Sequence, residues 1–255
     1  MLPHDDVGAG PAILLLHAGI ADRSMWREHL LPLAAGGHRV VALDLPGHGE
    51  AELSPDPQPS WAEVMQALDA LAIDRAVLVG NSFGGAVALR VAAVAPARVS
   101  GLVLISAPAP GLDASPELLR VWEQEEAALE MGDIERAVRV IVDAWTAPYA
   151  QPALREHVAA MQRRAFELQH GAVPAPEHDD PLESDPAALA RIEVPALVAA
   201  GDRDMVDFRD GAELLARKLP NARHAVIEGA GHLAPLETPA AFRTLVLDFL
   251  AEKGL

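Results

Sequence analysis

Ala76-Val77-Leu78-Val79-Gly80-Asn81-Ser82-Phe83-Gly84-Gly85-Ala86-Val87-Ala88-Leu89-Arg90 opens as an apolar run and closes as a small-residue helical pattern. The junction is Gly80-Asn81-Ser82-Phe83-Gly84. A strand driven straight into a helix through Gly-x-Ser-x-Gly holds a serine on a tight, strained turn, where its hydroxyl stands clear of the sheet. The glycines are needed because strand, helix and serine backbone approach too closely there for a Cβ at the flanking positions. Five residues alone would be a weak match, and the strand before and the helix after give it its weight.

Outward from this junction the chain alternates between strand and helix patterns. Apolar runs without period-2 alternation, at 12–17, 39–44, 99–105 and 196–200, read as strands buried on both faces. Helical patterns fill 26–35, 60–71 and 239–253, and another helix is expected from about 210 to 219. Ser60-Trp61-Ala62-Glu63 has the spacing of a capping box. A further strand is expected over 223–227. This alternation predicts one mostly parallel α/β sheet with helices on both faces.

The pattern changes between about 113 and 186, where strand-like runs disappear. Ser115-Pro116-Glu117, Gly132-Asp133 and Pro152 each carry a helix-start signal, and the third helix is expected to end near 170. The acidic loop 174–181 leads back to the sheet. An all-helical block between two sheet strands predicts a core of 1–112 and 186–255, with a helical lid of 113–185 laid over the carboxyl edge.

Composition excludes several classes of function. The formal net charge of −17, from 20 basic and 37 acidic residues, argues against nucleic acid or an anionic membrane as partner. Cysteine is absent, which removes disulfides, thiolate nucleophiles and Cys-ligated metals. No apolar run approaches the roughly 18 residues needed to span a bilayer, and Met1 to Asp6 is no secretion signal, so a soluble cytoplasmic protein is expected. His178, Asp179, Asp180 and Glu183 read as a solvated acidic loop in preference to a cation site, and no metal or cofactor is expected.

A serine hydroxyl needs a base, and the base an orienting carboxylate. Open α/β sheets build sites at the carboxyl ends of their strands, and four such ends carry suitable groups. Ser82 ends the strand at the junction. Asp204 lies in Gly201-Asp202-Arg203-Asp204, with Asp202, Asp207 and Asp113 as competing carboxylates. His232 follows the last strand in Gly229-Ala230-Gly231-His232, and His17-Ala18-Gly19 closes the first apolar strand. Serine, aspartate and histidine come in that chain order, unlike the order in trypsin- or subtilisin-type proteases. His17 and His48 read as structural, bracing their turns.

Leu14-Leu15-Leu16-His17-Ala18-Gly19, Asp44-Leu45-Pro46-Gly47-His48-Gly49, Gly80 to Gly85, Ala200 to Asp204 and Gly231 to Pro239, in this order, make the chain resemble the α/β-hydrolase superfamily over nearly its whole length. The resemblance implies Ser82 as nucleophile, His232 as general base and then acid, and Asp204 as orienting acid. It implies an oxyanion hole from the backbone N–H of Phe83 with that of Gly19 or Ile20. It places the helical insertion where that superfamily carries its cap, whose Trp122, Trp145, Tyr149, Met161 and Phe166 are candidates to line an apolar pocket.

The chain departs from the family pattern at Ala18, where glycine usually stands, and at Glu50-Ala51, where a serine is often found. It also departs at the N-terminus. The family hairpin is expected to be truncated, with its first strand missing and its second a stub, leaving an open edge that could promote dimerisation, so the expectation is a monomer or a homodimer. The implied activity is cofactor-independent hydrolysis of an ester, lactone or C–C bond in a small acyl substrate through an acyl-enzyme. Acyl transfer, haloperoxidase-like perhydrolysis or lyase chemistry on the same residues, and ligand binding without catalysis, are the alternatives.

Overall fold

The computed structural model describes residues 1–170, 180–185 and 187–255. Seven strands form one sheet: β1 (His4–Gly8), β2 (Ala12–Leu16), β3 (Arg39–Leu43), β4 (Ala76–Asn81), β5 (Val99–Ile105), β6 (Ala196–Gly201) and β7 (Ala222–Ile227). Their spatial order is β1-β3-β2-β4-β5-β6-β7, with β1 antiparallel to β3 and every other pair parallel. The order reverses around β2 and β4, so the loops after these two strands open away from each other at a crevice.

The apolar runs lack alternation because both faces of the sheet are covered. Ile13, Leu15, Val40, Val77, Val79, Val103 and Leu197 belong to one core layer, together with Trp26, Leu33, Phe242 and Phe249 from α1 (Arg27–Ala34), the turn before it and α9 (Pro239–Lys253). Leu14, Leu16, Val41, Leu78, Leu102, Leu104 and Val198 alternate with them into the other layer. There they meet α2 (Ser60–Ala70), α3 (Phe83–Val94) and α7 (Val206–Lys218). Successive strand residues point to opposite faces, and each finds an apolar partner.

Two expectations from sequence are corrected at the N-terminus and at α2. β1 is no stub: all five of its residues pair with β3, from His4 opposite Leu43 to Gly8 opposite Arg39. His-Asp-Asp-Val-Gly carries no apolar signal because an edge strand keeps much of its surface in water, and Asp6 there pairs with Arg39 at 2.7 Å. Among the described residues β1 is itself the edge of the sheet, with no strand paired on its other side. Ser60 does not cap α2; Pro59 takes the cap position and no side chain closes the box. Helix α7 also starts at Val206, four residues before the expected 210.

Between β5 and β6 the described residues form three helices: α4 (Pro116–Glu130), α5 (Ile134–Trp145) and α6 (Pro152–Gln169). Their starts follow the signals in the sequence. The Ser115 hydroxyl accepts from Leu118 N–H at 3.2 Å ahead of Pro116, and Asp133 accepts from Arg136 N–H at 2.9 Å. Val138, Ile141, Val142 and Trp145 form the buried stripe of α5. The loop segment 174–179, with His178 and Asp179, lies outside the described residues; Asp180 beyond it pairs with Arg90 of α3 at 2.5 Å.

Candidate active site

β4 ends at Asn81, and Ser82 turns the chain at φ 52°, ψ −115°, before α3 begins at Phe83. Such a conformation is costly for a residue with a Cβ and persists only where the surroundings over-determine it. Here they do. A Cβ on Gly80 would lie 2.4 Å from the Gly84 backbone, and one on Gly84 would lie 2.1 Å from Leu16 O. The Ser82 N–H donates to Ile105 O at 2.8 Å and the Gly84 N–H to His17 O at 3.0 Å, so both neighbouring strand ends hold the turn.

His232 and Asp204 meet although 28 residues separate them. The His232 Nδ1–H donates to both carboxylate oxygens, at 3.0 and 3.2 Å, and one of these oxygens also accepts from Met205 N–H at 2.8 Å. That bond fixes the proton on Nδ1 and leaves Nε2 free to accept one. The Asp204 side chain is fully buried. The imidazole is packed between Trp145, 4.4 Å between ring centres, and Phe208, 4.3 Å. A buried, hydrogen-bonded carboxylate behind an imidazole in an apolar cage stabilises the imidazolium that a proton transfer would form.

The competing carboxylates go elsewhere. Asp202 accepts from Gly229 N–H at 2.8 Å and braces that turn. Asp207 accepts from the backbone N–H and hydroxyl of Ser115, at 2.6 and 2.7 Å, and ties α7 to the start of α4. Asp113 is exposed.

A cavity of about 440 Å³ has Ser82 and Phe83 in its wall. Trp145 and Phe208, the two rings that flank His232, line it as well. The Asn81 side-chain amide donates to Ile105 O and His232 O, both at 3.1 Å, and so fixes the histidine loop against the end of β4. Glu237 does the same from the other side. Its two carboxylate oxygens accept from Gly231 N–H, next to His232, and from Ala147 N–H, two residues beyond Trp145. Burial pushes the Glu237 carboxyl above its usual range.

The turn after β2 is held by two imidazoles. The buried His17 donates through Nδ1 to Ala18 O at 2.8 Å and accepts the Leu45 N–H at Nε2, also 2.8 Å. Burial, and then its neighbour His48, hold His17 well below the ordinary histidine range, so it is neutral as these bonds require. His48 faces Gly19 O and Pro46 O, each at 2.9 Å. Neither Gly19 N–H nor Phe83 N–H donates to any described residue.

A profile of the α/β hydrolase fold matches residues 11–239. The chain belongs to the α/β-hydrolase fold family. It is 33% identical to the 2-hydroxymuconate semialdehyde hydrolase of Pseudomonas sp. (strain CF600), over 97% of this chain and 89% of that protein. It is 30% identical to the 2-hydroxy-6-oxo-2,4-heptadienoate hydrolase of Pseudomonas putida, over 96% of this chain and 91% of that one. Among solved structures, Est816, described as an N-acyl homoserine lactone degrading enzyme, superposes with a TM-score of 0.77 at 27% identity, covering 97% of this chain and 96% of its own. The chain is thus a hydrolase of the α/β fold, related to enzymes that act on small molecules.

Within this hydrolase the five aromatic and methionine candidates for the pocket separate. Trp122 and Trp145 line the cavity beside Ser82. Tyr149 turns outward, donating to Gly229 O at 2.6 Å with the Arg203 guanidinium 4.5 Å over its ring. Met161 is buried against Ser24, whose hydroxyl lies 3.4 Å from its sulfur, and Phe166 lines a different cavity between the ends of α4 and α6. Helical periodicity marks what a helix buries without saying which neighbour it is buried against. Phe208, Leu118 and Pro108 line the Ser82 cavity unannounced by any motif. The available signals were positional: Pro108 follows β5, Phe208 opens α7 after β6, and Leu118 stands four residues before Trp122 on one face of α4.

Proposed function

We propose that the protein is a cofactor-independent serine hydrolase that cleaves an ester, lactone or related carbonyl compound through an acyl-enzyme. The observation that carries this reading is the buried His232–Asp204 pair, whose flanking rings line the cavity with Ser82 in its wall. Ser82 attacks the carbonyl carbon and passes its proton to His232 Nε2, which then protonates the departing alcohol. His232 next takes a proton from water as its oxygen adds to the acyl carbon, then returns that proton to Ser82 Oγ as the bond from Oγ to the acyl carbon breaks and the acid leaves. Asp204 holds the imidazole in the tautomer that both steps need.

The oxyanion formed at each addition lies between Phe83 N–H and Gly19 N–H. Gly19 is preferred to Ile20 for a geometric reason. Ala18 O is engaged by both His17 Nδ1 and Ala21 N–H, at 2.8 and 2.9 Å, and a trans peptide sends the Gly19 N–H the opposite way. Gly19 also faces Phe83, since a Cβ on it would stand 3.5 Å from Phe83 Cβ. Each such donor contributes about a hundredfold to a thousandfold in rate. Residues 113–185 serve as the cap, joined to the core through Ser115–Asp207 and Ala147–Glu237.

Fluorophosphonate labelling tests the nucleophile directly. The wild-type protein is expected to take up one equivalent, mapped to the peptide containing Ser82, and Ser82→Ala none. Equal labelling of the two proteins would overturn the assignment.

A further inference from the structure

The cavity beside Ser82 is asymmetric in charge. Most of its wall is apolar, including Phe83, Pro108, Leu118, Trp122, Trp145 and Phe208. Among the described residues, the charged side chains lining it are two carboxylates, Asp113 and Asp207, and no lysine, arginine or histidine lines this space. Both oxygens of Asp207 accept hydrogen bonds from Ser115.

Of the arginines on neighbouring helices, Arg90 of α3 is paired with Asp180, Arg155 of α6 with Asp143, and Arg163 with Glu135, while Arg120, between Leu118 and Trp122 on α4, is exposed and does not line the cavity. The stretch 171–179, outside the described residues, contains no lysine or arginine; its sequence has one histidine, His178, beside the acidic Glu177 and Asp179. Arg203 and Arg209 line a separate cavity of about 330 Å³ on the other side of Trp145, with His232 and Asp204.

We propose, on the basis of the serine-hydrolase reading, that the part of the substrate occupying the Ser82 cavity is uncharged or cationic and carries no carboxylate. A carboxylate placed there would lose its water without gaining a partner, and two like charges in the wall would oppose it further. A cation would meet aromatic faces and two carboxylates.

Two matched series of esters test the proposal, one varying the end of the acyl chain and one varying the end of the alcohol. Each series has a neutral, a carboxylate and a trimethylammonium member of equal length. In the series whose variable end enters the Ser82 cavity, kcat/KM is expected to fall at least about thirtyfold from the neutral to the carboxylate ester. The trimethylammonium ester should match or exceed the neutral one. Asp113→Lys, a change at an exposed residue of the cavity wall, should raise the rate on the carboxylate ester in that same series and lower it on the cationic one.

Carboxylate and neutral esters cleaved alike in both series, or unchanged selectivity in Asp113→Lys, would overturn the proposal. A binding measurement keeps this separate from the chemistry. In Ser82→Ala, quenching of tryptophan fluorescence by methyl ketones of the same chains reports cavity preference without turnover. Neutral ketones binding at least about thirtyfold more tightly than their carboxylate counterparts is expected, and equal binding would overturn the charge preference even in a protein that cleaves no ester.

Discussion

Ser82 sits at φ 52°, ψ −115°, a region that a side chain makes costly by about 1–3 kcal/mol. Glycine reaches that region freely, so Ser82→Gly should stabilise the fold by about 1 kcal/mol and raise Tm by about 2–4 °C while abolishing turnover. Thermal unfolding of wild type, Ser82→Ala and Ser82→Gly checks it; a Tm for Ser82→Gly at or below that of Ser82→Ala would mean the turn stores no strain. At the same scale, Asp204→Asn should keep the fold and lower kcat by about ten-thousandfold, because the amide no longer fixes the proton on Nδ1 of His232. Steady-state kinetics on any cleaved ester would show whether that loss occurs. The junction itself was plain in the sequence, since Gly80 and Gly84 stand where the backbone leaves no room for a Cβ. Which aspartate meets His232 was less plain, because Asp202, Asp204 and Asp207 stand close together after β6, and only the turn into α7 separates their directions.

At the scale of elements, two of the hydrogen-bonded ties between the helical insertion and the core bear directly on the site. Ser115 is both the cap of α4 and the partner of Asp207 on α7, so Ser115→Ala should cost about 1–2 kcal/mol, read by chemical denaturation. Glu237 holds Gly231 and Ala147 together, and thereby His232 and the end of α5. Glu237→Ala leaves two N–H groups without an acceptor and should lower stability by about 2 kcal/mol. It should also reduce kcat by about tenfold and raise KM, since it loosens both the His232 loop and the end of α5, whose Trp145 lines the cavity; unchanged kcat would show a different role. The ends of α4 and α5 were readable from Ser-Pro-Glu and Gly-Asp because capping is local chemistry. Which apolar residues of the insertion meet the Ser82 cavity was not, because Met161 and Phe166 of α6 are buried against other neighbours and Tyr149, before α6, bonds outward to Gly229.

Over the whole molecule, β1 shows the limit of reading strands by hydrophobicity. An edge strand of His-Asp-Asp-Val-Gly is specified by its partner β3, and its signal is the pairing itself. The parallel strands were legible because burial on both faces demands unbroken apolar runs. The same burial encloses His29, whose Nε2–H donates to Pro235 O at 2.9 Å against Trp26 and Phe242. Burial lowers its pKa from 6.5 to about 4. The folded protein therefore binds this proton less well than the unfolded chain. The contribution is fully present above about pH 6.5 and is lost as pH falls towards 4, by on the order of 3 kcal/mol. His17, lowered for the same first reason, acts in the same direction. Denaturation curves across pH 4–7 should show that slope in wild type and a flatter one in His29→Leu.

The Trp145 indole lies against the His232 imidazole and also faces the cavity that would hold substrate. An indole in van der Waals contact with an imidazole is dimmed when the ring gains a proton, so the protein carries its own indicator of the charge state of His232. With Trp26, Trp61 and Trp122 replaced by phenylalanine, the remaining emission would report protonation of His232 and arrival of a ligand in real time, with no chromogenic substrate. The hydrolase could then be screened by light alone, against compounds it binds as well as those it cleaves.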